Sequence, residues 1–449
     1  MNSNKGVIKV KRKPILRKLT TALVLVFLVT VNVGTFAATA AIAGINDWTT
    51  GGPHGADVHS LAISPNFAID STIFAGTDGD GVFRSTDGGG TWSQTNTGLP
   101  THFSAHSLSI SPNFALDKTI FAGGWGGVFK SSDGGSSWIE ANDGGLKGLH
   151  VCSLAISRNF IVDRTVFAGT ESYGVFKSTN GGANWAKTNT GLPTFPRVFS
   201  LAISPNFTAD GTIFAGVFDD GVFKSTDGGA SWSMVLPGAF TFSVAISPDF
   251  GTDSTMFAGT WGEGVFKSTN GGANWAKTNT GLANTYVRAL AISPNFATDS
   301  TVFAGIFGDV FKSTNKGNSW TQIHTGLPNT YVRSVACSPD FASDSTVFAA
   351  VDGGNVFSYS FSQDPHAFLK AKINELRIQL EDTNTRVQNL ETQLADINAE
   401  ISALQQHNAE QNERMSLLEE AVDFVKTQVN KILGYLSKLP GGLKQLMGI

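Results

Sequence analysis

The chain has 449 residues, a formal net charge of −4 and a pI near 6.1, so it lacks the basic balance of a nucleic-acid-binding protein. Fifty glycines and only 15% charged residues argue against a helical globule and for sheets joined by tight turns. Two cysteines, Cys152 and Cys337, rule out a disulfide-built fold, and they fall in non-neighbouring repeats, so no bond between them is expected.

Residues 1–43 read as an export signal. Lys5, Lys9, Lys11, Arg12, Lys13, Arg17 and Lys18 make a basic start, and an apolar run follows from Leu19 to Val33. Ala38-Thr39-Ala40 and Ala41-Ile42-Ala43 offer small-residue cleavage sites. A cleaved signal places the protein outside the cell or on its surface. The alternative is an uncleaved anchor, since Leu19 to Ile42 is long enough to span a bilayer. Only that alternative makes the membrane a partner.

Residues 44–362 are built from one unit repeated every 43 to 47 residues. Seven copies lead with a strand such as Ser60-Leu61-Ala62-Ile63-Ser64. A Pro-Asn-Phe-like turn follows, with an aspartate three residues on: Asp70, Asp117, Asp163, Asp210, Asp253, Asp299 or Asp344. Such an aspartate caps its own turn; a cation is the weaker reading. Next come a Phe-Ala-Gly strand, a short variable loop, a Val-Phe strand and a Gly-rich corner ending in tryptophan. Four short strands on this period predict propeller blades.

The corner reads Ser85-Thr86-Asp87-Gly88-Gly89-Gly90-Thr91-Trp92 in its first copy. Its third and last positions recur as Asp133 and Trp138, Asn180 and Trp185, Asp227 and Trp232, Asn270 and Trp275, and Asn315 and Trp320. The seventh unit stops without a corner, but Trp48 precedes Trp92 by 44 residues, within the period. The expected architecture is an all-β seven-bladed propeller whose N-terminal strand closes the last blade.

The corner motif resembles the Asp-box, or BNR, repeat of sialidases, sortilin-type receptors, xyloglucan-degrading propellers and a photosystem II assembly factor. The resemblance implies a propeller whose corners are structural and whose binding face lies opposite. It also admits glycoside hydrolysis or a role in complex assembly. The converging arginines of a sialidase would be Arg288 and Arg333, with Arg197 nearby, but the Phe/Tyr-Arg-Ile-Pro segment of that family is absent.

Residues 363–439 change character. Apolar residues recur at alternating spacings of three and four, through Leu369, Ile373, Leu376 and Leu380 to Val429, Ile432 and Leu436. This predicts a coiled coil about 100 Å long that self-associates as a dimer or trimer. In parallel register, Arg386 meets Glu391 of the partner and Arg414 meets Glu419, with Asn408 in the core. Residues 440–449 form a short tail opened by Pro440-Gly441-Gly442.

Function is therefore sought on the variable loops. Candidate ligand-binding residues are Trp125, Tyr173, Phe218, Asp219, Asp220, Trp261, Glu263, Phe307, Asp309, Tyr286, Arg288, Tyr331 and Arg333. Aromatic faces stack on sugars and carboxylates bind hydroxyls, so a glycan is the expected ligand, with a protein as the other possibility. Asp219 and Glu263 are the candidate catalytic pair, if paired carboxylates stand across a glycosidic bond. His59, His106 and Cys152 share one repeat position in consecutive blades and are candidate metal ligands. No cofactor is expected. The leading expectation is a non-enzymatic binding or scaffold protein whose coiled coil turns weak sites into avidity.

Overall fold

The computed structural model describes residues 48–323, 326–361 and 365–438. The expected signal (1–43) and tail (440–449) lie outside these residues.

Seven four-stranded antiparallel sheets form a seven-bladed β-propeller. In blade 1 the strands run outward in chain order as Val58–Ile63, Ile73–Thr77, Gly81–Ser85 and Ser93–Gln94. The inner strands neighbour one another round a closed circuit, with Val332–Cys337 of blade 7 beside Val58–Ile63 of blade 1. Blade 7 takes its outermost strand from the other end of the propeller. Thr49–Gly52 pairs antiparallel with Asn355–Ser360, placing Thr49 opposite Ser358 and Thr50 opposite Phe357. Trp48, immediately before it, is buried against Tyr359 at 5.3 Å, in a cluster with Phe303 and Val310 of blade 6.

The second strand of each blade is covered on both faces by its neighbours, which is why it reads as continuous Ile/Val-Phe-Ala-Gly rather than alternating. Its phenylalanine meets, edge to face, the phenylalanine of the next blade's Pro-Asn-Phe turn. Phe74 packs on Phe114 at 5.8 Å, Phe303 on Phe341 at 5.6 Å, and Phe348 on Phe67 at 5.7 Å carries the pattern from blade 7 to blade 1. Each pair contributes roughly 0.5–1.5 kcal/mol beyond its buried area.

The repeated aspartates are turn caps. Asp70 accepts from the Ser64 hydroxyl at 2.7 Å and the Thr72 amide at 2.9 Å, and the same two bonds recur through Asp344 with Ser338 and Thr346. The corner works similarly. Asp87 accepts from the Ser85 hydroxyl at 2.8 Å, the Thr91 amide at 2.9 Å and the Thr91 hydroxyl at 2.6 Å. Asn180 accepts from the Asn184 amide at 2.9 Å. The backbone needs one side-chain oxygen there, so Asp and Asn both serve.

The corner tryptophans join blades. The indole N–H of Trp138 donates to the carbonyl of Thr95 at 2.7 Å, Trp185 to Ala141 at 2.8 Å, Trp232 to Thr188 at 2.8 Å and Trp320 to Thr278 at 2.6 Å, each on the preceding blade. A glycine sits against each: a β-carbon on Gly98, Gly144, Gly191 or Gly281 would lie 2.0–2.1 Å from that tryptophan's carbonyl oxygen. Trp92 and Trp275 differ, donating to Gly89 and Gly272 of their own corners at 3.1 Å. The cause is the strand before each. Blade 4 ends in Ser233–Pro237 without the Asn-Thr-Gly segment, and blade 7 ends in Thr49–Gly52.

The second compact unit begins at Ile373. Its helix belongs to an element spanning Pro365–Ser437, along which Leu390, Leu394, Ile397, Ile401 and Leu404 are all exposed. Among the described residues no helix is long and apolar enough to cross a membrane.

Candidate functional site

One position in each repeat faces the axis. It is the residue just before the first serine or alanine of the inner-strand motif: His59, His106, Cys152, Phe199, Phe242, Arg288 and Arg333. In six of the seven inner strands the ladder register shifts across this residue, as between Val58 and Ser60 or Val332 and Ser334. A β-bulge there re-aims the side chain. Six of the seven line a cavity of about 210 Å³ over a layer of serines that includes Ser107, Ser153, Ser200 and Ser243.

The loops between second and third strands stand over this mouth beside the segments that enter each inner strand. Backbone bridges link Trp125 to His150, Trp261 to Tyr286 and Phe307 to Tyr331. Phe218 donates its amide to Arg197, and Asp352 donates its own to Tyr331.

One sector of the mouth is polar. His59 and His106 stack at 4.5 Å, 16° from parallel. His106 Nδ1 bonds His150 Nε2, and His150 Nδ1 bonds Glu171 Oε2 at 2.7 Å. Trp125 lies flat on His150 at 4.3 Å. Asp78 accepts from the Ser104 hydroxyl at 2.5 Å and lies 3.7 Å from His106 Nε2. Burial, then the neighbouring His59 and His150, pulls His106 down to about 4, so the ring is neutral at physiological pH. Burial, then Arg333, also lowers His59, while the Ser104 hydrogen bond holds the Asp78 carboxyl below its ordinary range. Arg333 grips Asp352 with two guanidinium nitrogens.

The other sector is aromatic. Phe199 and Phe242 stack at 5.6 Å, and Phe242 continues to Phe218 at 4.8 Å and Trp261 at 5.6 Å. Trp261 meets Tyr286 at 4.7 Å and Tyr331 at 5.7 Å, and Tyr331 meets Phe307 at 4.9 Å. Arg288 lies over Phe242 at 4.7 Å and Tyr331 at 4.8 Å. Burial, then Arg333, brings Arg288 down to about 10, which leaves it charged at neutral pH. Phe240, Tyr286 and Phe307 keep 44%, 39% and 37% of their surface exposed, so part of the arc faces solvent.

The structure thus brings Phe218, Trp261, Tyr286, Arg288, Phe307 and Tyr331 into one arc. Trp125 belongs instead to the histidine sector, and Tyr173 stands apart, half exposed beneath Lys187 at 5.8 Å. Asp219 pairs with Arg197 at 3.3 Å and Glu263 with Lys277 at 2.7 Å, so each member of the expected catalytic pair is held by its own cation. Asp220, beside them, is raised by burial and then by Asp219.

Two expectations are corrected. Asp309 is buried and supports the fold, capping the Val310 amide at 2.7 Å and accepting from Gln322. Blades 1, 2, 3 and 5 use an asparagine for that cap, as Asn96 does for Val82 at 2.8 Å; the blade 6 sequence has His324 at the equivalent position. Cys152 does not join His59 and His106: the ligand-bearing atoms that cluster are those of His59, Asp78 and His106, all within 4.8 Å of one another. Burial pushes the Cys152 thiol up to about 12. Sequence reasoning omitted Phe199, Phe242 and His150 from the site. The signal for the first two was available, because within the otherwise constant inner strand they occupy the position whose residue type keeps changing.

No protein-family model and no curated protein matches the sequence. Solved structures do match the fold. A GH74 enzyme from Niastella koreensis is 20% identical with a TM-score of 0.57, over 69% of this chain and 53% of that one. A GH74 xyloglucanase from Xanthomonas campestris is 16% identical with a TM-score of 0.53, over 70% and 54%. An ancestral GH74 enzyme is 18% identical with a TM-score of 0.55, over 69% and 46%. This chain therefore spans about half the length of each.

Proposed function

We propose that the loop face takes a polysaccharide chain and that the protein hydrolyses it. The observation that carries binding is the arc from Phe218 through Trp261 to Phe307, whose partly exposed rings offer stacking faces beside Arg288 and the Arg333–Asp352 pair. Hydrolysis is favoured over a purely non-enzymatic scaffold for two reasons. Solved structures of similar fold include GH74 enzymes, one of them a xyloglucanase. In addition, Asp219 and Asp220 share a loop, Asp219 ion-paired to Arg197 at 3.3 Å and Asp220 held above the ordinary carboxyl range by burial and then by Asp219. A carboxyl with a raised pKa beside a second carboxylate is the pairing that glycoside cleavage draws on.

Affinity electrophoresis in xyloglucan and other soluble β-glucans should show retardation that Trp261→Ala weakens at least about tenfold, the loss of one stacking platform. Reducing-end release should fall at least about 100-fold in Asp220→Asn, the scale of a lost general acid. Because Asp220 is raised, hydrolysis should decline as pH climbs through the range where that acid loses its proton. Retardation without reducing ends would leave binding alone; neither would overturn the reading.

The finer architecture belongs to the same proposal. The corners are Asp-boxes, Thr49–Gly52 closes the ring, and the exposed apolar stripe of the C-terminal helix pairs with other copies of this chain as a coiled coil. Sedimentation of the full chain should return a dimer or trimer, and Leu394→Asp with Ile401→Asp should return a monomer. The basic and apolar start of the sequence makes the assembly an exported one.

A further inference from the structure

We propose that His59, Asp78 and His106 bind one divalent transition-metal ion at the mouth of the channel, with zinc as the ion this donor set favours. The inference stands independently of any polysaccharide.

Three features carry it. First, two imidazoles and a carboxylate come together from blades 1 and 2, with their ligating atoms within 4.8 Å of one another. Two nitrogens and one oxygen suit zinc and its first-row neighbours, and they leave a tetrahedral ion one position for water or a ligand. Both histidines sit where the ladder register shifts, so the backbone itself aims them inward.

Second, the hydrogen-bond relay fixes which nitrogen is free. The Glu171 carboxylate only accepts, so His150 donates from Nδ1 and its Nε2 accepts. His106 must then donate from Nδ1, which leaves the lone pair of the neutral ring on Nε2. A carboxylate–histidine relay of this kind is how metal-bound imidazoles are usually oriented.

Third, that Nε2 is buried with no hydrogen-bond partner. It faces the Asp78 carboxylate at 3.7 Å, a lone pair opposite an anion. Asp78 is half exposed, so an ion can enter from solvent and bridge the buried lone pair to the carboxylate. Metal–ligand distances of about 2.0–2.2 Å require the stacked His59 and His106 rings to turn until their in-plane lone pairs converge, a movement about two side-chain bonds, with Asp78 closing from its loop.

The test uses the full chain stripped with a chelator, then titrated with Zn²⁺ against a chromogenic competitor. One zinc per chain is expected. Asp78→Asn and His59→Phe should each weaken it at least about 100-fold, the loss of a direct ligand. His150→Phe removes no ligand but abolishes the relay, and should weaken binding about 10–100-fold. Asp80→Asn, in the same loop, should bind like the unaltered protein. Circular dichroism of the metal-free forms controls for folding. Zn²⁺ should raise the thermal midpoint of the unaltered chain and not that of Asp78→Asn. Failure to bind one equivalent, or full binding by Asp78→Asn and His59→Phe together, overturns the site. A thiolate charge-transfer band with Co²⁺ would also overturn it, because it would put Cys152 in the donor set.

Discussion

A chain lacking residues 48–52 is expected to lose at least about 3–5 kcal/mol, the cost of deleting one buried tryptophan, before the lost strand is counted. Trp48 fills the space between blades 6 and 7 against Tyr359, Phe303 and Val310. Thr49–Gly52 covers the third strand of blade 7, whose backbone groups would otherwise be bare. The thermal midpoint should fall on the order of 10 °C. Uncovered Asn355–Ser360 should also pair with other chains, so light scattering should rise at protein concentrations where the intact chain stays clear. An unchanged midpoint and an unchanged particle size would mean that the strand is ornamental.

Gly191→Ala should be nearly as damaging, and a paired substitution isolates the reason. Gly191 has φ +90°, and a β-carbon there would lie 2.0 Å from the Trp232 carbonyl oxygen. Gly79 has a similar φ of +82° and nothing within 4 Å. Gly79→Ala should therefore cost only the left-handed backbone penalty, about 1–2 kcal/mol. Gly191→Ala adds a backbone clash worth roughly a further 1–3 kcal/mol, and it pushes blades 3 and 4 apart where the Trp232 indole meets Thr188. Equal losses at the two sites, measured by denaturant unfolding, would remove the close approach as the cause.

The fold was legible because its constants repeat. Tryptophan, glycine and the capping oxygen recur wherever the chain must turn a corner, and Phe-Ala-Gly recurs wherever two blades press on one strand. The site was only partly legible for the opposite reason. The axis-facing residues change type from His59 to Arg333, so aligning the repeats on what they share draws attention away from them. The bulge that aims each one has no residue signature of its own. Asp309 misled because an exchange between neighbouring strands, aspartate at the start of the third strand for asparagine on the outer one, looks like a free acid until its bond to the Val310 amide is seen.

Three blade junctions lack the tryptophan-to-carbonyl bond: 7/1 at Trp92, 4/5 at Trp275, and 6/7, where the buried Trp48 indole nitrogen has no hydrogen-bond partner. At 4/5 the Lys224 ammonium still reaches the Gly271 carbonyl at 2.9 Å. A closed circle cannot hinge at one point without straining the remainder; it bends along a line that crosses it twice. Two of these junctions flank blade 7 and the third lies across the ring from it, so such a line runs from blade 7 to the 4/5 junction. It passes between Phe199 and Phe242 on one side of the mouth and beside Arg333 on the other. Flexing about it would widen or pinch the channel entrance, so the irregular corners at Trp92 and Trp275, with the unpaired Trp48 indole, bear on where the ring bends.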